Sequence, residues 1–202
     1  MPSIYQIKPA FQGLLRPTVQ RLAAAGVTAN QITLLAAALS LLTGIILAAW
    51  PSPSPLWLLL PVVLFFRMAL NAIDGMLARE HDQKSALGAF LNELGDVVSD
   101  AALTLPFALL PGVFATLVVI AVILAGLTEM AGVVALQVGA ARRYDGPMGK
   151  SDRAFAFGLL AFVTGIGLPV GAWLNWAIAL IAGLTALTVA NRIRAALRSA
   201  KP

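Results

Sequence analysis

The 202 residues include no cysteine, a single histidine and very little charge: only 11% are Asp, Glu, Lys or Arg. Without thiols there is no structural disulfide and no thiolate metal site. The one histidine, His81, falls in a loop and is expected to be solvated rather than a ligand. So little charge beside 59% hydrophobic residues lies far outside the range of soluble domains. There is no internal repeat and no low-complexity segment. The N-terminus lacks a short apolar core followed by a small-residue cleavage site, so it is expected to be retained.

What the chain has in abundance is long apolar runs. A hydrocarbon core of about 30 Å takes about 20 helical residues to cross, and such runs lie at roughly 30–50, 56–79, 86–110, 113–141, 154–171 and 173–196. The sequence therefore predicts an all-α integral membrane protein with one domain over 1–202, of which 29–202 form six transmembrane helices. Residues 4–22 place Ile4, Ile7, Phe11, Leu14, Leu15, Val19 and Leu22 at helical spacing, with Lys8, Gln12, Arg16 and Arg21 between them. That pattern predicts an amphipathic interfacial helix within 1–28, with Pro9 and Pro17 as positions that break it. Gly26 to Asn30 read as a turn, with Thr28 or Asn30 capping the first span.

Lys and Arg gather in cytoplasmic loops, and here they alternate strictly. Lys8, Arg16 and Arg21 precede span one, and Arg79 and Lys84 flank the second loop. Arg142, Arg143, Lys150 and Arg153 fill the fourth, and Arg192, Arg194, Arg198 and Lys201 close the chain. The loops around Pro51–Pro55, Pro111-Gly112 and Gly171 are bare. Both termini are expected on the cytoplasmic side. The net charge of +5 thus reads as orientation and contact with anionic membrane lipids, not as a nucleic-acid surface.

Ionisable groups at membrane depth are costly and mark function by default. One cluster stands out: N-A-I-D-G-M-L-A-R over 71–79 and, after eight residues, G-A-F-L-N-E-L-G-D over 88–96. Spans two and three are antiparallel neighbours through a short loop. Asn71 and Asp74, three apart, share one helix face, and Asn92 and Asp96, four apart, share another. Four oxygen ligands on two facing helices suit a hard divalent cation, Mg2+ or Mn2+, while Gly75 and Gly88 open room for a flat base or a diphosphate. Arg67 and Glu129 are charges at mid-membrane depth; they pair with each other, or Arg67 pairs with Asp100. In the fourth loop, the Gly-Pro and Gly-Lys steps aim Arg143, Lys150 and Arg153 at an anionic group. A transporter would continue its polar groups to the outer face, where these spans offer only scattered Ser and Thr.

The cluster resembles the signature of the CDP-alcohol phosphotransferase (phosphatidyltransferase) family, D-x2-D-G-x2-A-R-x8-G-x3-D-x3-D. Asp74, Gly75, Ala78, Arg79, Gly88 and Asp96 match it, and Asn71 and Asn92 stand where it has its first and third aspartates. The string T-A-N-Q-I-T-L over 28–34 also resembles the family's T-P-N-x-x-T-L, which lies beside the cytidine. The resemblance implies transfer of a phosphate-ester group from a CDP-alcohol, commonly CDP-diacylglycerol, to a second alcohol, with release of CMP. It makes Asp74 and Asp96 metal ligands and catalytic residues, with Asp96 as the general base. It assigns Asn30, Thr33, Gly75, Ala78, Arg79 and Gly88 to the nucleotide. It further implies a homodimer in a bacterial inner (cytoplasmic) membrane. Two amides in place of carboxylates imply one ion, or weaker binding, with Glu93 and Asp100 as nearby compensation. The basic fourth loop points to a phosphorylated acceptor such as glycerol 3-phosphate. A binding protein of the same fold without turnover is the alternative.

Overall fold

A computed structural model describes residues 4–200 of the chain, with side chains from Ala10 onward. Lys201 and the side chains of Ile4, Ile7, Lys8 and Pro9 lie outside the described residues. Seven α-helices follow in order: α1 Ile4–Ala24, α2 Ala29–Ala49, α3 Leu59–Glu80, α4 Ala86–Thr104, α5 Ala115–Gln137, α6 Lys150–Gly165 and α7 Ala172–Ser199. Short 3-10 turns at Pro55–Leu58 and Leu105–Leu109 precede α3 and extend α4.

Four stretches are long and apolar enough to cross a membrane: Ala29–Ala49, Pro55–Glu80, Ala115–Gln137 and Ala172–Ser199. The expected third and fifth spans, α4 and α6, fall short of that measure for identifiable reasons. Within its 19 residues α4 holds Glu93, Asp96 and Asp100, and its helix stops at Thr104 because Pro106 starts a 3-10 turn. The α6 helix has 16 residues, about 24 Å of rise. It begins on Lys150, four residues before the expected start at 154, and ends at Gly165, where Gly167 takes φ +92°. Both are nonetheless packed inside the bundle: α4 against α2 and α5, α6 against α3 and α7.

The helix α1 runs unbroken through Pro9 and Pro17, against expectation. Gly13, whose carbonyl Pro17 leaves without a donor, is exposed, so that carbonyl is open to another partner. Val19 is fully buried among Ile32, Ile73, Met76 and Leu77, and Arg16 grips Glu80 with Nε at 3.3 Å and Nη2 at 3.0 Å. Thr28 is the N-cap of α2 and forms a reciprocal capping box with Gln31. Gln83, in the α3–α4 loop, accepts from the Ala29 backbone N–H at 2.7 Å and donates to the Val27 carbonyl at 3.3 Å. One short loop thereby fixes the start of α2 against the end of α3.

The interior is divided along its length. Toward the end holding Trp57, Phe107 and Leu174, the core is apolar and tight, with Trp57 and Phe107 edge-to-face at 4.7 Å and Phe107 and Phe157 at 5.4 Å. Buried Asn175 ties α7 to the α5 approach there, accepting from Phe114 N–H and donating to Gly112 O, each at 2.8 Å. Toward the opposite end the interior is ionic. On the outside, large apolar side chains such as Leu34, Ile45, Phe65, Phe155 and Trp176 are more than half exposed, which is the surface lipid tails cover. Two glycines of α6 serve the same close packing. A side chain on Gly165 would meet the Leu58 backbone nitrogen at 2.9 Å, and one on Gly158 would meet Leu64 at 3.2 Å.

Candidate active site

At the ionic end, α2, α3 and α4 bring the expected nucleotide residues together. Thr33 Oγ1 donates to Asp74 Oδ2 at 2.8 Å, and Asp74 is buried. A Cβ on Gly88 would lie 2.7 Å from the Asn30 side-chain oxygen, so glycine is what lets α4 begin against α2. Arg79 folds back along its own helix, its guanidinium nitrogens 3.1 Å from where a Gly75 Cβ would sit. Ala78 packs at the edge of the cluster around Val19 and Met76.

The signature positions Asn71 and Asp96 meet between α3 and α4. Asn71 Nδ2 donates to Asp96 Oδ1 at 3.4 Å, joining α3 to α4. Asp74 lies within electrostatic range of both Asp96 and Lys150. Arg67 reaches Asp96 at 3.2 Å and Asp100 at 2.6 Å, while Lys150 pairs with the other Asp96 oxygen. Asn92 lines the same opening as Asp96 and Lys150. Among the described residues no three of His, Cys, Asp and Glu form a metal-holding group. The donor set is therefore two carboxylates and two amides. All four donors are oxygens from facing helices, which fits one hard divalent cation better than two.

Below this pair runs a ladder of buried ions. Of the two pairings open to Arg67, the structure has the one with Asp100. Glu129 is instead reached by Arg153 at 3.2 Å, Arg192 at 3.6 Å and Arg142 at 3.7 Å. Arg153 also meets Asp100 at 3.3 Å and so links the two halves. Arg67, Arg153 and Arg192 are each at most 4% exposed. Leaving one such charge without its partner would be expensive, and the ladder explains how five helices tolerate them.

The fourth loop, 138–149, is folded rather than loose. Gly146 has φ +128°, and a Cβ there would come within 2.7 Å of Thr188 Cα, so both conformation and space require glycine. Met148 N–H then donates to Thr188 Oγ1 at 2.9 Å, fastening the loop to α7. Within it, Arg143 is held by Asp145 at 2.8 and 2.9 Å, and that contact keeps the Asp145 carboxyl below its usual range. Arg142 pairs with Glu93, which raises its pKa, and stacks on Tyr144 at 5.3 Å. Of the three residues expected to grip an anion, Lys150 lines the opening, Arg153 lies buried beneath it and Arg143 turns to Asp145. Arg142 and Arg192, both of which line the opening, were legible in sequence only as orientation charges.

That opening is a cleft of about 390 Å³. Its walls are Asn92 and Asp96 of α4, Glu129 of α5, Arg142 and Tyr144 of the loop, the first residues of α6, and Arg192 of α7. Through Asp96 it adjoins Asn71 of α3. The arrangement offers a polar chamber beside the signature residues of α3 and α4.

This geometry has close parallels. Over 197 residues, 96% of each chain, the protein is 53% identical to inner membrane protein YnbA of Escherichia coli (strain K12). Its fold is similar to a crystal structure of Mycobacterium tuberculosis phosphatidylinositol phosphate synthase (PgsA1) with CDP-DAG bound. The TM-score is 0.75 at 21% identity, covering 91% of this chain and 93% of that one. A second structure of that synthase, in complex with manganese and citrate, gives 0.74 at 19% identity over 91% and 88%. The sequence pattern of CDP-alcohol phosphatidyltransferases matches residues 26–190, from the turn before α2 to the last third of α7, and the chain belongs to that family.

Proposed function

We propose that the protein transfers a phosphatidyl group from a CDP-alcohol such as CDP-diacylglycerol to the hydroxyl of a second alcohol, releasing CMP, in phospholipid biosynthesis. The observation that carries the reading is the convergence of six signature residues with Asn30 and Thr33 at the joint ends of α2, α3 and α4. The CDP-DAG bound to the structural relative supports the donor. The cytidine end lies among Asn30, Thr33, Gly75, Ala78 and Gly88, with Arg79 toward its phosphates. A divalent cation, Mg2+ or Mn2+, held by Asn71, Asp74, Asn92 and Asp96, would draw charge from the diphosphate.

The acceptor hydroxyl enters from the cleft. Its oxygen forms a bond to the phosphatidyl phosphorus as the bond from that phosphorus to the bridging oxygen breaks, and CMP leaves with that oxygen. Asp96, which lines the cleft, receives the hydroxyl proton. Arg67 positions Asp96 from α3, and Thr33 positions Asp74 from α2. Lys150 lies on the acceptor side with Arg153 beneath it, and glycerol 3-phosphate is the anionic acceptor to test. The protein works in the bacterial inner membrane as a homodimer of six-span chains, termini in the cytoplasm.

The test is CMP release from radiolabelled CDP-diacylglycerol by purified protein with a panel of acceptor alcohols. Turnover by the wild type and its loss in Asp74→Ala and Asp96→Ala, both still folded, is the expected result. Turnover retained in both variants overturns the reading. Asn71 and Asn92 motivate one alternative, a nucleotide- or lipid-binding protein without turnover. It is indicated if the wild type binds donor yet releases no CMP with any acceptor.

A further inference from the structure

The acceptor cleft is not the cationic trap that its loop sequence suggests. Its charged walls are three carboxylates, Asp96, Glu129 and Asp152, against three cations, Arg142, Lys150 and Arg192. Each of those cations already meets a carboxylate: Lys150 on Asp96, Arg142 on Glu93 and Glu129, Arg192 on Glu129. Arg153, just beneath, is divided between Asp100 and Glu129. A phosphate monoester brought into this space would have to be desolvated beside Glu129, a carboxylate that sits among the very guanidiniums the phosphate needs. The donor's diphosphate and a divalent ion carry opposite charges of equal size, so their arrival leaves the balance of the cleft unchanged.

The cleft has, by contrast, many hydrogen-bonding groups left for a neutral guest. Arg192 spends Nη1 on the Thr128 carbonyl and Glu129, and among the described residues no hydrogen bond engages its Nη2. Asn92, Tyr144 and Ser151 add amide and hydroxyl groups to the same walls. Asp152 accepts from the Gly149 N–H at 2.9 Å, so its carboxylate stands at the start of α6, with lone pairs left to accept more. Donors and acceptors alternate, and a hydroxyl group is both.

Resting on the transferase reading above, we infer that the acceptor is an uncharged polyhydroxy alcohol rather than a phosphorylated one. Its hydroxyls accept from the guanidinium N–H groups of Arg142 and Arg192 that line the cleft and donate to Glu129 and Asp152, and one hydroxyl is presented to Asp96. Glu129 is the residue that sets this preference, because it neutralises the guanidiniums that a phosphate would otherwise engage.

Two measurements on the full-length protein in detergent decide it. With CDP-diacylglycerol as donor, glycerol and myo-inositol should support CMP release at higher kcat/KM than glycerol 3-phosphate or inositol phosphate. The reverse order overturns the inference. Independently of turnover, glycerol 3-phosphate titrated calorimetrically into the wild type should show no saturable binding, whereas Glu129→Gln should bind it at least about ten-fold more tightly. Saturable binding by the wild type that Arg192→Ala removes overturns the inference even if Glu129→Gln does not fold. If no acceptor yields CMP, the transferase reading fails, and the titration still decides which class of molecule the cleft receives.

Discussion

Arg67 of α3 meets Asp100 of α4 at 2.6 Å and Asp96 at 3.2 Å, so a single buried guanidinium holds both a structural carboxylate and a signature carboxylate. Arg67→Met should leave Asp96 with Lys150 and Asp100 with Arg153, each short of one buried cation. Removing one partner of a buried pair costs about 3–5 kcal/mol, and a large fall in the detergent melting temperature is expected. Asp100→Asn in the same chain should recover part of it. An unshifted melting curve in the single variant would mean that the pair contributes nothing to the fold.

Thr33 presents its hydroxyl to Asp74 Oδ2 from a different helix. Hydrogen bonds to charged groups are worth roughly 1.5–3 kcal/mol, so Thr33→Val should lower kcat for CMP release about ten-fold or more. Thr33→Ser should restore it. The melting temperature should move little in either. Equal losses in both variants would assign Thr33 to packing instead.

Asn71 and Asn92 lower the negative charge of the oxygen set between α3 and α4. Changing both to Asp should tighten Mg2+ or Mn2+ binding, since affinity for a hard cation rises with the number of charged ligands. Titration calorimetry of the wild type and the double variant reads this directly. Equal affinity would show that neither asparagine lines the metal site. Turnover need not rise with affinity, because a more strongly charged site releases CMP more slowly.

Gly146 combines φ +128° with no room for a Cβ beside Thr188. Gly146→Ala should cost about 1–3 kcal/mol in backbone strain alone and lift the loop from α7. The expected result is faster proteolysis within 138–149, with CMP release reduced through disorder of Lys150. Unchanged protease resistance would show that the loop holds its place without the Thr188 contact.

Much of this protein follows from one-dimensional chemistry. Apolar runs longer than a bilayer is thick leave helices as the only backbone solution, because an unpaired peptide group in hydrocarbon costs several kcal/mol. That is why α2, α3, α5 and α7 were legible, as was the cap at Thr28. The meeting of Asn71 with Asp96 between α3 and α4 was expected from helical spacing and a short loop. Pro9 and Pro17 misled, because a helix lying in the interface can solvate the carbonyl that a proline orphans. The lengths of α4 and α6 were overestimated, because an apolar run does not reveal where a proline or a positive-φ glycine ends the helix.

Tertiary structure alone decided the partners of the charges. Arg67, Asp100, Glu129, Arg153 and Arg192 come from five different helices, and sequence order says nothing about which guanidinium reaches which carboxylate. The fourth loop looked like a free cationic grip because its own residues are basic. Folding set Lys150 on Asp96, Arg142 on Glu93 and Arg192 on Glu129, and so turned a run of positive charge into a neutral, hydrogen-bonding cleft. Charge composition is a property of a segment, but electrostatic potential depends on distances between segments, and those distances exist only once the helices have packed.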